Sequence, residues 1–320
     1  MVKLVVGLDL GGTKIATCVM NEDGEILKKV TLSTLAHEGP DAVIGRIIES
    51  IYDVIRLANI NKEDILAIGV GVPGPLDSEK GLIKNPPNLP GWVEVPLRDI
   101  LYNEFKVPLA IENDANAAAL GENFYGSGKG IKNFMYITIS TGIGGGVVVN
   151  GKLLKGASGN AAEIGHTTIN FEGPLCGCGN RGCWEAYASG TALARFAREG
   201  IKNGIKTIIK DIVDREGHIK AEHVFTAAKQ GDKFAKELVD MEGFYLGVGL
   251  ANMANSFNPN CIAIGGGITN QWDMFYEHMI SIMQERALKA NVEGLKVVKA
   301  TLGPDVGVIG AATLAWRLVQ

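Results

Sequence analysis

The chain has 320 residues, 46% of them hydrophobic and 21% charged, with a formal net charge of −4. That is enough apolar material for two domains of about 100–200 residues each, and the charge balance excludes nucleic acid or an anionic membrane as the main partner. No stretch reaches the roughly 20 apolar residues of a membrane span, and the residues before Asp9 lack the length and cleavage region of a signal peptide, so the expectation is a cytoplasmic protein whose clustered thiols favour metal over disulfide.

Leu4 to Asp9 predicts a buried strand and Ile15 to Met20 a second, with Asn21-Glu-Asp-Gly24 as the hairpin turn into a third strand at Glu25–Leu32. Val43 to Ala58 carries apolar residues at helical spacing, and Ile65–Val72 is a buried strand ended by Pro73-Gly-Pro75. The prolines of Asn85-Pro-Pro-Asn-Leu-Pro-Gly91 forbid regular pairing there. Leu109–Glu112 is a short strand that feeds Asn113-Asp114 and an Ala-rich helix, Ala115–Tyr125.

Phe134–Ser140 opens a second strand block, with a turn at Thr141–Gly145, a strand at Gly146–Val149, a turn at Asn150-Gly151 and a strand at Lys152–Lys155. This repeats the N-terminal layout, which points to a duplicated α/β unit. Helices dominate from Thr191, including a long apolar one at Phe234–Phe257; Cys261–Gly265 is a late strand and Gly307–Leu318 a last helix. Cys18 and Cys261 stand alone in apolar runs and read as core residues. With no flexible linker, the domain boundary is expected inside the helix after Asp114. The division is then a small α/β lobe of residues 1–115 plus about 305–320, and a large α/β lobe of residues 116–304.

Asp9-Leu-Gly11-Gly12-Thr13-Lys14 sits in the first hairpin. Its glycines let backbone amides approach an anion, Thr13 adds a hydroxyl and Lys14 a charge. Asp9 at the strand end is suited to a hydrated Mg²⁺, which keeps most of its waters. A lone Gly-Gly turn is as readily just a turn, but Ser140-Thr141-Gly142-Ile-Gly-Gly-Gly146 repeats it, and two such hairpins can grip a polyphosphate from both sides. Neither fits the P-loop or the Rossmann spacing. Gly265-Gly266-Gly267 follows a buried strand and is suited to packing against a flat base or ribose.

Asn113-Asp114 lies where a strand gives way to a helix. One reading is a helix N-cap; the other is a general base, the single carboxylate that phosphoryl transfer to an alcohol requires, with Asn113 holding a neighbouring hydroxyl. His166, Cys176, Cys178 and Cys183 form a Cys₃His set, a closed tetrahedral arrangement suited to structural zinc and leaving no open position for catalysis. Free thiols are the alternative. Glu163 and Glu185 flank the cluster, so closing it would fix both carboxylates in one wall, as acceptors for sugar hydroxyls. Asn88 is a further polyol contact, and His166 could bind metal through one ring nitrogen and donate to sugar with the other.

These residues together resemble the ROK family (repressors, open reading frames and sugar kinases), and within it the bacterial glucokinases. Asp9–Lys14 is similar to the family's first phosphate motif, Glu112-Asn-Asp-Ala-Asn116 to its catalytic segment, and Glu163-Ile-Gly-His166 with Cys176-x-Cys-Gly-x-x-Gly-Cys183-x-Glu185-x-x-x-Ser189-Gly190 to its zinc and sugar signature. The resemblance implies a two-lobed actin-like ATPase (ribonuclease H-like) α/β fold closing an interdomain cleft on a sugar. It also implies structural zinc, Mg²⁺ with ATP as donor, and a homodimer or higher homo-oligomer. Asn88, Asn113, Asp114, Glu163, His166 and Glu185 would contact glucose, and Asp114 would deprotonate its 6-hydroxyl. ATP would lie on Asp9, Gly11, Gly12, Thr13, Lys14, Thr141, Gly142, Gly265, Gly266 and Gly267. Kinases for fructose, N-acetylmannosamine or allose would share most of these motifs, and a sugar-sensing regulator or a zinc hydrolase are further alternatives. Regulators of the family carry a helix-turn-helix ahead of the first phosphate motif, and the eight residues before Asp9 leave no room for one.

Overall fold

The structure is a computed structural model that describes residues 3–213 and 217–320. The N-terminal half opens on β1 (Leu4–Leu10), β2 (Lys14–Asn21) and β3 (Ile26–Ser33), followed by helix α1 (Pro40–Leu57) and strand β4 (Ile65–Val72). A small hairpin of β5 (Leu76–Asp77) and β6 (Leu82–Ile83) precedes α2 (Leu97–Phe105), β7 (Leu109–Asn113) and α3 (Asp114–Tyr125). A second strand series follows in β8 (Phe134–Ile139), β9 (Ile143–Val149) and β10 (Lys152–Leu153). Helices α4 (Glu185–Ala188), α5 (Gly190–Lys202), α6 (Ile209–Ile212), α7 (Ala221–Lys229) and α8 (Lys233–Phe257) then lead to β11 (Cys261–Gly265). The chain ends with α9 (Tyr276–Arg286), α10 (Lys289–Val292), β12 (Lys296–Lys299) and α11 (Val306–Val319).

The two large sheets have the same strand order. The first runs β3-β2-β1-β4-β7 and the second β10-β9-β8-β11-β12, in each case third, second, first, fourth, fifth. In the first, β1–β2 and β2–β3 are antiparallel while β1–β4 and β4–β7 are parallel. The repeat expected from sequence is therefore present in topology. The boundary at β9 differs: Gly144 and Gly145 lie inside the strand, not in the turn before it. At the next position a Cβ on Gly146 would overlap the Ala119 side chain, so the strand runs past α3 there as bare backbone.

The chain divides into two compact units, one of Met1–Tyr136, Gly146–Ala162 and Ala300–Gln320, the other of Ile137–Gly145 and Glu163–Lys299. Helix α3, where the sequence puts the domain boundary, lies wholly in the first unit. Period-2 alternation sends Leu4, Val6, Leu8 and Leu10 to one face of the first sheet, against Val43, Ile47, Ile51 and Val54 of α1. Val5, Cys18 and Ala67 face the other way, onto Val308, Ala312, Ala315 and Trp316 of α11. Cys18 is fully buried there, and burial pushes its thiol up to about 12. Cys261 is buried in β11, so both lone cysteines sit in the core.

Helix α11 lies directly on bare backbone. A Cβ at Gly7 or Gly69 would overlap the carbonyl oxygens of Val308 or Ala311, and one at Gly310 would overlap that of Ala117 in α3. No helix among the described residues is long and apolar enough to cross a membrane. Gly310→Val is expected to lower the urea unfolding free energy by at least about 2 kcal/mol, because the packed backbone of α3 cannot retreat. An unchanged midpoint would show that α3 and α11 can separate without loss.

Candidate functional site

In the first unit, the turn between β1 and β2 is held shut from one side. Thr34 donates twice here, its N–H to the Thr13 carbonyl at 2.9 Å and its hydroxyl to the Gly11 carbonyl at 2.7 Å. The Gly11 N–H closes the turn on the Lys14 carbonyl at 2.9 Å. Asp9 ends β1 beside the first turn of α11, where a Cβ on Gly307 would overlap its carboxylate. Burial raises the Asp9 carboxyl above its ordinary value, and the nearby Lys14 charge pulls it partly back. Desolvated and facing a helix N-terminus, this carboxylate fits a divalent cation, which would relieve that cost. Asn88 lies against Gly12, its carbonyl oxygen 3.0 Å from where a Cβ would stand.

The segment at the end of β7 is tightly specified. Asn113 is the N-cap of α3, its Oδ1 accepting from the N–H groups of Ala115 at 2.9 Å and Asn116 at 3.2 Å. With Oδ1 committed, what Asn113 can offer a ligand is its Nδ2 donor. Asp114 is half-buried in the first turn of α3, and its Oδ1 accepts the Ala115 N–H at 2.7 Å. The cap reading thus falls to Asn113, with the Asp114 carboxylate beside it.

In the second unit, His166, Cys176, Cys178 and Cys183 bring their ligand atoms within 4.8 Å of one another. Cys178 Sγ and Cys183 Sγ are 3.6 Å apart, and Cys176 Sγ is 3.7 Å from His166 Nδ1. A tetrahedral zinc with bonds of about 2.3 Å to sulfur spaces its ligands by about 3.8 Å, so the set fits a single ion. The loop reaches this shape because Gly179 (φ +91) and Gly182 (φ +72) adopt left-handed conformations. Burial raises the thiols of Cys176 and Cys183, the latter to about 12, whereas the hydrogen bond from the Asn180 backbone lowers Cys178. His166 presents Nδ1 to the sulfurs, which leaves Nε2 for another partner.

The acids beside the knot differ. Glu163 is exposed and immediately precedes the 3₁₀ turn Ile164–His166. Glu185, half-buried at the start of α4, has Oε1 3.7 Å from Cys176 Sγ and accepts the Ile143 N–H through Oε2 at 2.9 Å. Trp184 is fully buried and fixes the chain between Cys183 and Glu185, its indole N–H donating to the Tyr245 carbonyl of α8 at 2.9 Å. Cβ atoms on Gly142 and Gly165 would overlap the Glu185 carboxylate and the Ile143 carbonyl, respectively. The knot therefore sits directly on the second glycine turn, a connection that spacing along the chain does not reveal.

The same turn borders a cavity of ≈ 370 Å³ lined by Thr141, Gly190, Arg198, Lys220, Phe225 and Gly267, among others. Gly190 donates its N–H to the Ser140 carbonyl at 2.8 Å and begins α5, capped by Ser189. Of the Gly265–Gly267 run, Gly267 lines the cavity. Gly266 (φ +89) packs on Ile139, whose carbonyl a Cβ would overlap, and Gly265 ends β11. Sequence reasoning missed Arg198, Lys220 and Phe225, which carry no motif and come together only through α5 and α7.

The ROK family model matches residues 5–317. The glucokinase of Thermotoga maritima is 39% identical over 97% of this chain and 96% of its own length. The chain belongs to the ROK family. The xylose repressor of Caldicellulosiruptor bescii is 32% identical over 97% of this chain and 77% of that protein. A ROK family glucokinase from Streptomyces griseus, solved in complex with glucose and AMPPNP, superposes with a TM-score of 0.82 at 33% identity, covering 98% of this chain and 99% of that one. The fold is accordingly the α/β actin-like ATPase fold of the ROK sugar kinases.

Proposed function

We propose that the protein is an ATP-dependent glucokinase that phosphorylates the 6-hydroxyl of glucose. The observation that carries this reading is the Asn113-Asp114 pair at the start of α3, a half-buried carboxylate beside a capping amide whose only remaining polar group is a donor. Asp114 accepts the proton of the 6-hydroxyl as its oxygen bonds to the γ-phosphorus. The bond to the bridging oxygen breaks and ADP departs with that electron pair. Asn88 and Asn113 donate to neighbouring hydroxyls; Glu163 and Glu185 accept from others, and His166 donates through Nε2.

Asp9 is the residue proposed to hold hydrated Mg²⁺, and Gly11, Gly12, Thr13 and Lys14, with Thr141 and Gly142, to receive the phosphates. The ion, when bound with ATP, would neutralise phosphate charge. The cavity beside Gly267 suits the adenosine: Phe225 and the glycine backbone offer flat apolar surface, and Arg198 and Lys220 offer charge. Zinc in the Cys₃His set would brace Glu185 and His166. A cytoplasmic homo-oligomer completes the proposal.

The repressor kinship favours one second reading, a sugar sensor without turnover. Asp114 and the two phosphate turns argue against it, since a sensor has no use for a base. Asp114→Ala should reduce turnover by about 10²–10⁴-fold while calorimetry still detects glucose binding; activity near wild type would exclude Asp114 as the base. In a coupled ADP-release assay over glucose, fructose, N-acetylmannosamine and allose, glucose should give the highest kcat/KM, and a better rival would overturn the sugar assignment. Stripping the metal, verified by elemental analysis, should weaken glucose binding together with stability, whereas unchanged kinetics in metal-free protein would refute the bracing role.

A further inference from the structure

Glu112 opens the segment that carries Asn113 and Asp114 and is buried, 1% exposed near the end of β7. Its Oε1 accepts the Asn113 N–H at 3.1 Å and the Asn116 amide at 3.3 Å. Its Oε2 lies 3.0 Å from the ammonium of Lys155 yet has no aligned hydrogen-bond donor among the described residues. The contact is therefore ionic, and what Lys155 contributes is charge. Removing a buried carboxylate from water is costly unless a cation stands beside it, and Lys155 is the cation beside this one.

Lys155 follows β10 and begins the loop 155–162, which closes on it through the Ala161 N–H to its carbonyl at 3.1 Å. None of the phosphate, sugar or metal motifs includes it. We propose that Lys155 is a positioning residue for phosphoryl transfer: its ammonium anchors Oε2 of Glu112, so that Oε1 holds the Asn113 N–H and the Asn116 amide and Asp114 starts α3 in a reactive orientation. This rests on Asp114 being the base. Without Lys155, Oε2 loses the charge that anchors it and the carboxylate turns away. That turn withdraws an acceptor from Asn113, one residue from the Asp114 carboxylate.

The test compares Lys155→Met, Lys155→Arg, Glu112→Gln and the Glu112→Gln/Lys155→Met double variant by steady-state kinetics, with circular dichroism and thermal unfolding alongside. Lys155→Met should lower kcat about 10–100-fold, the scale of a misplaced catalytic group, with KM for ATP unchanged. Lys155→Arg should recover most of the loss. In the Glu112→Gln background, where no buried charge needs a counter-ion, Lys155→Met should cost nothing further. A wild-type kcat in Lys155→Met, or equal losses in the two backgrounds, would overturn the proposal. If Lys155→Met does not fold, the double variant against Glu112→Gln decides: equal kcat supports the charge argument and a further loss refutes it. A Lys155→Met variant with wild-type kcat beside an inactive Asp114→Ala sinks this inference alone, whereas an active Asp114→Ala sinks the base assignment beneath it.

Discussion

Backbone meeting backbone, with no side chain between, is the constraint on which the rest of this structure depends. Helix α11 is laid on the first sheet at Gly7 and Gly69 and on α3 at Gly310, each a place where a Cβ would collide with a carbonyl. Because α3 carries Asp114 in its first turn and α11 presents Gly307 to Asp9, these contacts fix the two carboxylates through main chain alone. Packed main chain has no rotamers to relax into, so the placement is stiffer than a side-chain interface would give. The high glycine content, which in the sequence pointed to anion-binding turns, belongs as much to this packing.

The buried acids show a graded response to the cost of desolvation. Glu122 in α3 is fully buried and accepts from the N–H groups of Ser127 and Leu302 at 2.9 and 2.7 Å and from the Ser127 hydroxyl at 2.7 Å. It needs no cation because donors satisfy both oxygens. Glu112 has donors on one oxygen and the Lys155 charge near the other. Glu242 in α8 is fully buried with neither oxygen bonded among the described residues, and burial raises its carboxyl well above the ordinary range. The buried acid nearest the proposed base is thus the one paired with an exposed lysine, and that pairing is what makes Lys155 more than a surface charge.

Much of this was legible in the sequence, for physical reasons that also mark the limit. Strands β1, β2 and β4 are buried on both faces and read as unbroken apolar runs, and the Cys₃His spacing encloses a tight loop whose chemistry is local. Asn113 as a cap was readable because capping acts within one helical turn. The tie between Glu185 and the Ile143 N–H was not, since 42 residues separate them and neither position departs from an ordinary pattern. The Lys155–Glu112 pair and the meeting of Arg198, Lys220 and Phe225 around the cavity were hidden for the same reason. Contacts made by topology leave no periodicity behind. Gly144 and Gly145 misled in the opposite direction, since glycine signals a turn and close approach alike, and close approach is what the strand shows beside them, at Gly146 against Ala119.

The join between the knot and the second glycine turn would couple the proposed sugar contacts to the proposed phosphate turn. Glu185 faces two ways: one carboxylate oxygen is turned toward Cys176 and the other holds the Ile143 N–H, the amide that follows Gly142. Gly165, one residue before His166, is pressed on the carbonyl of the same Ile143. A displacement of the cysteine loop must therefore move the turn Thr141–Gly142, and with it one wall of the neighbouring cavity. Two separate groups joined by a flexible segment could be disturbed independently. Here the main chain at Ile143 is held from both sides, so the cysteine loop sets the geometry of the turn that the proposal gives to the phosphates.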